Sequence, residues 1–213
     1  MSEHLALDES DQSLPIVAKP VRVRVARHVS NILSPATISV PFVVAVALYH
    51  TRNTLAALTY ACVTLFFLSF GPMIYIIVGV RKGKFTDIDV SVRSQRLRPF
   101  LFALGSTLLG LAVLSLIHAP KNLETLFLIT IISGLIMMCI TLWWKISLHA
   151  SSLAGALTML TALYGNVILP AFMLVVLVCW SRVVLRRHTI AQVVVGSVVS
   201  IVLTTIVLRI RGV

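Results

Sequence analysis

Seven long apolar stretches, separated by short polar ones, dominate this chain. They cover about residues 32 to 49, 54 to 80, 100 to 118, 122 to 144, 150 to 163, 167 to 181 and 189 to 208. None alternates apolar and polar residues with the period of two that marks a half-buried strand, so each reads as a helix. A bilayer core takes roughly 20 apolar residues per helix. Only helices or closed barrels satisfy every backbone group in lipid. The pattern predicts an all-α fold, a polytopic transmembrane helix bundle of six or seven spans. The count stays open because the fifth and sixth stretches are short enough to tilt or to begin inside a recessed cavity.

Breaks in the pattern refine the picture. Pro35 and Pro41 lie near the start of the first stretch, and Gly71-Pro72 marks a bend in the long second one. Trp143 and Trp144 close the fourth stretch, where aromatic rings favour the membrane interface. The fifth is rich in Ala, Ser and Gly, which suits close helix contact. Gly71, Gly134 and Gly155 are expected at packing or bending positions. Residues 1–30 form a disordered, basic N-terminal arm in this reading, and 31–213 the bundle. The arm opens with Glu3, Asp8, Glu9 and Asp11, the opposite of a secretory signal peptide. It continues with Lys19, Arg22, Arg24, Arg27 and His28, which suit a membrane interface.

Composition excludes an ordinary soluble domain: 58% of residues are hydrophobic and only 12% charged. The formal net charge is +11. Its basic residues fall between spans, so no nucleic-acid partner is expected. Membrane lipids and a phosphate-bearing substrate are. Cys62, Cys139 and Cys179 all sit in apolar runs, without the spacing of a disulfide framework or a metal motif. They are expected as packing residues.

Three polar patches interrupt the apolar pattern in a telling way. They are Arg93-Ser-Gln-Arg96-Leu-Arg98-Pro99, Lys145-Ile-Ser147-Leu-His149, and Ser181-Arg182-Val-Val-Leu-Arg186-Arg187-His188, which runs on to Gln192. Arginine binds phosphate through charge-assisted, often bidentate hydrogen bonds. Two histidines can supply a nucleophile and a proton donor. One apolar hairpin separates the first patch from the second, and another separates the second from the third. All three patches are therefore expected on one membrane face. The opposite face holds Arg52, Lys121, Arg209 and Arg211, and the remaining Lys and Arg lie on the patch-bearing face. That bias favours a cytoplasmic patch-bearing face.

The order and spacing of these patches resemble the type-2 phosphatidic acid phosphatase superfamily, over roughly residues 85 to 210. Its third motif, Ser-Arg, five residues, His, three residues, Asp, is matched by Ser181, Arg182 and His188, with Gln192 in place of the Asp. Its second, Pro-Ser-Gly-His, is matched by Ser147 and His149, with Ile146 and Leu148 replacing the Pro and Gly. Its first, Lys, six residues, Arg-Pro, is matched by Arg98 and Pro99, with Ser91 at the Lys position.

The resemblance implies a membrane-embedded lipid phosphatase acting on a lipid phosphomonoester or diphosphate, polyprenyl or phosphatidic-acid-like. It implies that His188 is the nucleophile that forms a phosphohistidine and that His149 protonates the leaving oxygen. Arg182 and Arg98 would bind the phosphate, with Arg93, Arg96, Lys145 and Ser147 as further ligands. Gln192, one helical turn beyond His188, can accept its ring hydrogen bond but brings no carboxylate charge. In serine-protease triads the same exchange costs on the order of 10⁴ in rate.

Asp87 and Asp89 therefore have three readings: a substitute carboxylate, a solvated loop, or a weak metal site. No metal or other cofactor is expected. A non-hydrolytic lipid-phosphate binder or a phosphotransferase on the same fold is the alternative. A transporter of anionic lipid is a third reading, and span interiors bare of acidic residues argue against it.

Overall fold

The computed structural model describes residues 20–213 apart from His50, Asp89, Ser91 and the side chain of Arg93. The expected acidic tail and the roles assigned to Asp89 and the Arg93 side chain lie outside the described residues. Within them there are only helices: α1 (Val21–Ile32), α2 (Pro35–Leu48), α3 (Thr54–Leu65), α4 (Gly71–Arg81), α5 (Leu97–Leu116), α6 (Lys121–Trp143), α7 (Leu148–Tyr164), α8 (Met173–Val184) and α9 (Ile190–Arg211). A π-helical turn, Phe66–Phe70, joins α3 to α4, and a 3₁₀ stretch, Asn166–Phe172, leads into α8. Six helical segments are long and apolar enough to cross a membrane, counting α1 with α2, α3 with α4, and the 3₁₀ stretch with α8. This is an integral-membrane helix bundle. The fifth apolar stretch, the one outside these six, is α7, only 17 residues long, with about half of its residues buried.

The basic part of the arm is helical from Val21 onward, as α1. Arg22, Arg24, Arg27 and His28 stay exposed, while Ala26 and Ser30, one turn apart, are buried. That buried stripe packs α1 against α8, so tertiary burial orders a segment whose charge alone reads as solvated. Ser34 then ends the hinge between α1 and α2. Its hydroxyl accepts from the Thr37 N–H at 3.2 Å, with Pro35 in the first helical turn.

α7 sits at the centre and packs on α2, α8 and α9. Small residues let α9 approach closely. A β-carbon added at Gly155 would lie 2.6 Å from Ser200 Oγ, and one at Gly196 would lie 2.8 Å from Ser151 Oγ. Gly134 departs from the expectation of a packing glycine, because an added β-carbon there would meet nothing within 4 Å. The bend expected at Gly71-Pro72 is the π turn just before it. Pro72 has no N–H to offer the Phe67 carbonyl, and the Ser106 hydroxyl donates to that carbonyl at 2.7 Å instead.

Cys62 and Cys139 are exposed on the outside of the bundle, and Cys179 is half-buried. In a membrane the outward face is as apolar as the core, so an apolar run does not reveal which side a thiol takes. Two contacts gather the ends of the helices opposite the three polar patches. Arg211 Nη2 lies 3.2 Å from Glu124 Oε2, joining α9 to α6. The Tyr164 hydroxyl donates to the Ala45 carbonyl at 2.8 Å, joining α7 to α2.

Candidate functional site

At the other end of the bundle, one cavity of about 480 Å³ is lined by Arg96, His149, Arg182 and His188. The three patches that are remote in sequence thus contribute to a single wall. Helix starts supply much of the remaining lining: Ser34, Pro35 and Ala36 from α2, Pro99 and Phe100 from α5, and Leu148 from α7. His188 stands just before the start of α9. Helix N-termini carry partial positive charge and present N–H groups without intrahelical partners. Added to two arginines, they make the cavity suited to an anion. The other walls are apolar, from Met73, Ile76, Ile88 and Val90 among others.

Arg182 lies in the last turn of α8 and is buried, at 7% exposure. Its Nη1 donates to Ser30 Oγ of α1 at 2.9 Å. Arg96 precedes α5, and its Nε donates to the Val90 carbonyl at 3.0 Å. Val90 itself has φ of 44°, a conformation that a β-branched residue rarely adopts. The loop holding it is anchored from several sides. Phe85 is buried against Gly79, and Gln95 accepts from the Thr86 N–H at 3.0 Å. A conformation of this kind persists only where its surroundings hold it.

His188 is half-buried, and its Nδ1 lies 3.2 Å from the carbonyl of Lys145. A carbonyl only accepts, so Nδ1 carries the proton and Nε2 carries the lone pair. Burial pushes the imidazole down to about 4, reinforced by the positive charges of Arg182 and Lys145. The carbonyl bond opposes that shift, and Gln192 opposes it least of all. Gln192 accepts instead from the Thr189 N–H at 3.1 Å, in a reciprocal capping box that starts α9. The expected orienting role of Gln192 therefore belongs mainly to the Lys145 backbone. Asp87 accepts from the Thr86 hydroxyl at 3.1 Å and is not part of the cavity lining. The charges that act on His188 are cationic.

The other expected ligands fall in different places. Arg98 is exposed and outside the lining, and Arg96 takes the position on the cavity. The helical start of α5 explains this, since residues two apart point to different sides of a helix. Ser147 is fully buried beside Gly196 of α9, outside the lining, and its hydroxyl has no hydrogen-bond partner among the described residues. Lys145 is also outside the lining, yet its ammonium pKa is lowered by burial and by Arg96, Arg187 and Arg182, which places it in the same cationic cluster. Arg186 and Arg187 are exposed. Ser30, Asn31 and Ser34 line the cavity without having been expected there. Their sequence signal, Ser-Asn-Ile-Leu-Ser-Pro, reads as a helix end followed by a capped helix start and says nothing of what the hinge faces. Among the described residues, no three His, Cys, Asp or Glu side chains gather as a metal site would require. No protein-family model, curated protein or solved structure matches this chain.

Proposed function

We propose that this chain is a membrane-embedded lipid-phosphate phosphatase, similar in plan to the type-2 phosphatidic acid phosphatases. The observation that carries the reading is the joint presence of Arg96, Arg182, His149 and His188 on one cavity at a bundle end. The substrate is a phosphomonoester or diphosphate of a polyprenyl or phosphatidic-acid-like lipid. Arg96, Arg182 and the helix starts grip the phosphate oxygens, where phosphoryl transfer needs charge stabilisation most. The Nε2 lone pair of His188 attacks phosphorus while the ester P–O bond breaks, and His149 gives its proton to the leaving oxygen. His149 then takes a proton from water as that water attacks the phosphohistidine. The second step releases inorganic phosphate and restores both imidazoles. No step requires a metal ion. The basic end of the bundle faces the cytoplasm, by the excess of Lys and Arg there over Arg52, Lys121, Arg209 and Arg211.

A second reading has its own support: a lipid-phosphate binder or phosphotransferase on the same scaffold. His188 leans on a neutral carbonyl and feels only cationic charges, which disfavours an imidazolium-like product. Phosphate release from a panel of lipid phosphates, with and without chelator, decides between them. Release that survives chelator and disappears in His188→Ala supports the phosphatase. Binding without release from any member supports the alternative, and a large gain of release in Gln192→Asp would then mark a weakened hydrolase.

A further inference from the structure

The cavity that holds the two histidines does not end at its own floor. A second cavity of about 300 Å³ shares Pro35, Phe100 and Leu148 with it. It continues between α2, α6, α7 and α9, reaching Met159 on α7. From Leu148 to Met159 the axis of α7 advances roughly 16 Å, at 1.5 Å per residue. A bilayer core is about 30 Å thick, so the passage is about as deep as one leaflet.

The character of its wall fits a hydrocarbon occupant. No charged residue lines it. Several hydroxyls on it are turned back onto their own helix: Ser39 to the Ala36 carbonyl, Thr130 to Leu126, Ser151 to Ser147 and Ser152 to Leu148. Such back-bonding spends these four polar atoms and leaves methylene surface toward the space, while the Ser133 and Thr204 hydroxyls on the same wall have no hydrogen-bond partner among the described residues. Gly134 lines this second cavity and also a smaller one between α5 and α6, and a β-carbon added there would meet nothing within 4 Å. The gap is what the packing expectation for Gly134 did not anticipate.

We propose that this inner cavity is a tail channel: the lipid phosphate binds with its phosphate among Arg96, Arg182, His149 and His188 and one hydrocarbon tail threaded past Leu148 and Phe100 to Gly134. The channel selects substrates by tail length, with Gly134 keeping its inner part open. The proposal rests on the lipid-phosphate reading of the outer cavity, but its test separates the two.

Straight-chain alkyl phosphates of graded length are offered to the full-length protein and to Gly134→Leu, and phosphate release is measured for each. The same series is titrated against His188→Ala, with and without Gly134→Leu, by displacement of a fluorescent alkyl probe. Gly134→Ala, whose added carbon meets nothing, is carried along as the milder variant. The expected result is a preferred tail length in the parent that moves shorter in Gly134→Leu and part-way in Gly134→Ala. The longest ligands lose roughly tenfold or more, the scale set by a misfitted methylene in a hydrophobic pocket, and the shortest lose nothing. A length profile that is the same in parent and both variants overturns the channel, even if phosphate is released. A shifted binding profile without any release supports the channel and removes the phosphatase reading instead.

Discussion

Arg182 Nη1 and Ser30 Oγ meet at 2.9 Å although 152 residues separate them in the chain. The bond ties α1 to α8 at the cavity wall, so the basic N-terminal helix is part of the site. Ser30→Ala removes a neutral partner and is expected to weaken binding of a short alkyl phosphate by roughly fivefold, about 1 kcal/mol. Arg182→Gln is expected to weaken it by more than tenfold, because it removes a charge-assisted contact as well. The double variant should bind about as poorly as Arg182→Gln alone. Full additivity in equilibrium titrations would mean that Ser30 acts independently of the arginine.

His188 gives the protein a defined acid response. Its folded pKa is about 4, against about 6.5 for an unfolded histidine. Between those values the unfolded chain binds more protons, so this residue's contribution lowers stability as pH falls through that window and leaves it flat above. His188→Gln should flatten that part of the stability curve. Gln192→Asp, by placing negative charge near the ring, should raise the pKa toward its ordinary value. Titrating the imidazole proton resonances of the parent and Gln192→Asp checks both the value and the direction.

A third expectation concerns the opposite end of the bundle. His118 has φ of 53° where α5 stops, and the Ala119 N–H donates to the Leu114 carbonyl at 2.9 Å, the closing bond of a left-handed helix cap. Such a cap favours glycine. His118→Gly should raise stability by about 1 kcal/mol without touching phosphate binding. An unchanged or lower unfolding midpoint would count against the strain.

Thr64 is fully buried in α3, and its hydroxyl has no hydrogen-bond partner among the described residues. Thr64→Val keeps the shape and removes the orphaned group. It should stabilise the bundle by about 1 kcal/mol. Loss of stability on thermal unfolding in detergent would point to a partner for the hydroxyl that the helix packing does not reveal.

Hydropathy alone was enough for the helical class, because length and apolarity are what a span requires. The hairpin count between Pro99, His149 and Arg182 was enough to predict their common end, since each hairpin returns the chain to its starting face. Which side chain turns inward was a different matter. Arg96 and Arg98 are two residues apart, and only the rotation of α5 and the pull of the Val90 carbonyl choose between them. Ser30 and Ser34 look like ordinary helix punctuation until α1 docks on α8. The orientation of His188 depends on a backbone carbonyl at Lys145, and a carbonyl leaves no mark on residue identity. Gly134 looks the same in sequence as Gly155, yet one borders empty space and the other a neighbouring helix.

The five-residue turn at Phe66–Phe70 holds one residue more than a regular α-turn. A regular helix advances about 100° per residue, so everything after the turn is phased by that single extra position. Met73 and Ile76, which line the cavity, both follow this offset. Deleting one residue from the turn should rotate both by about 100° relative to α3 and so change what they present to the cavity. One wall of the site thus takes its phase from a counting irregularity in the middle of the second span.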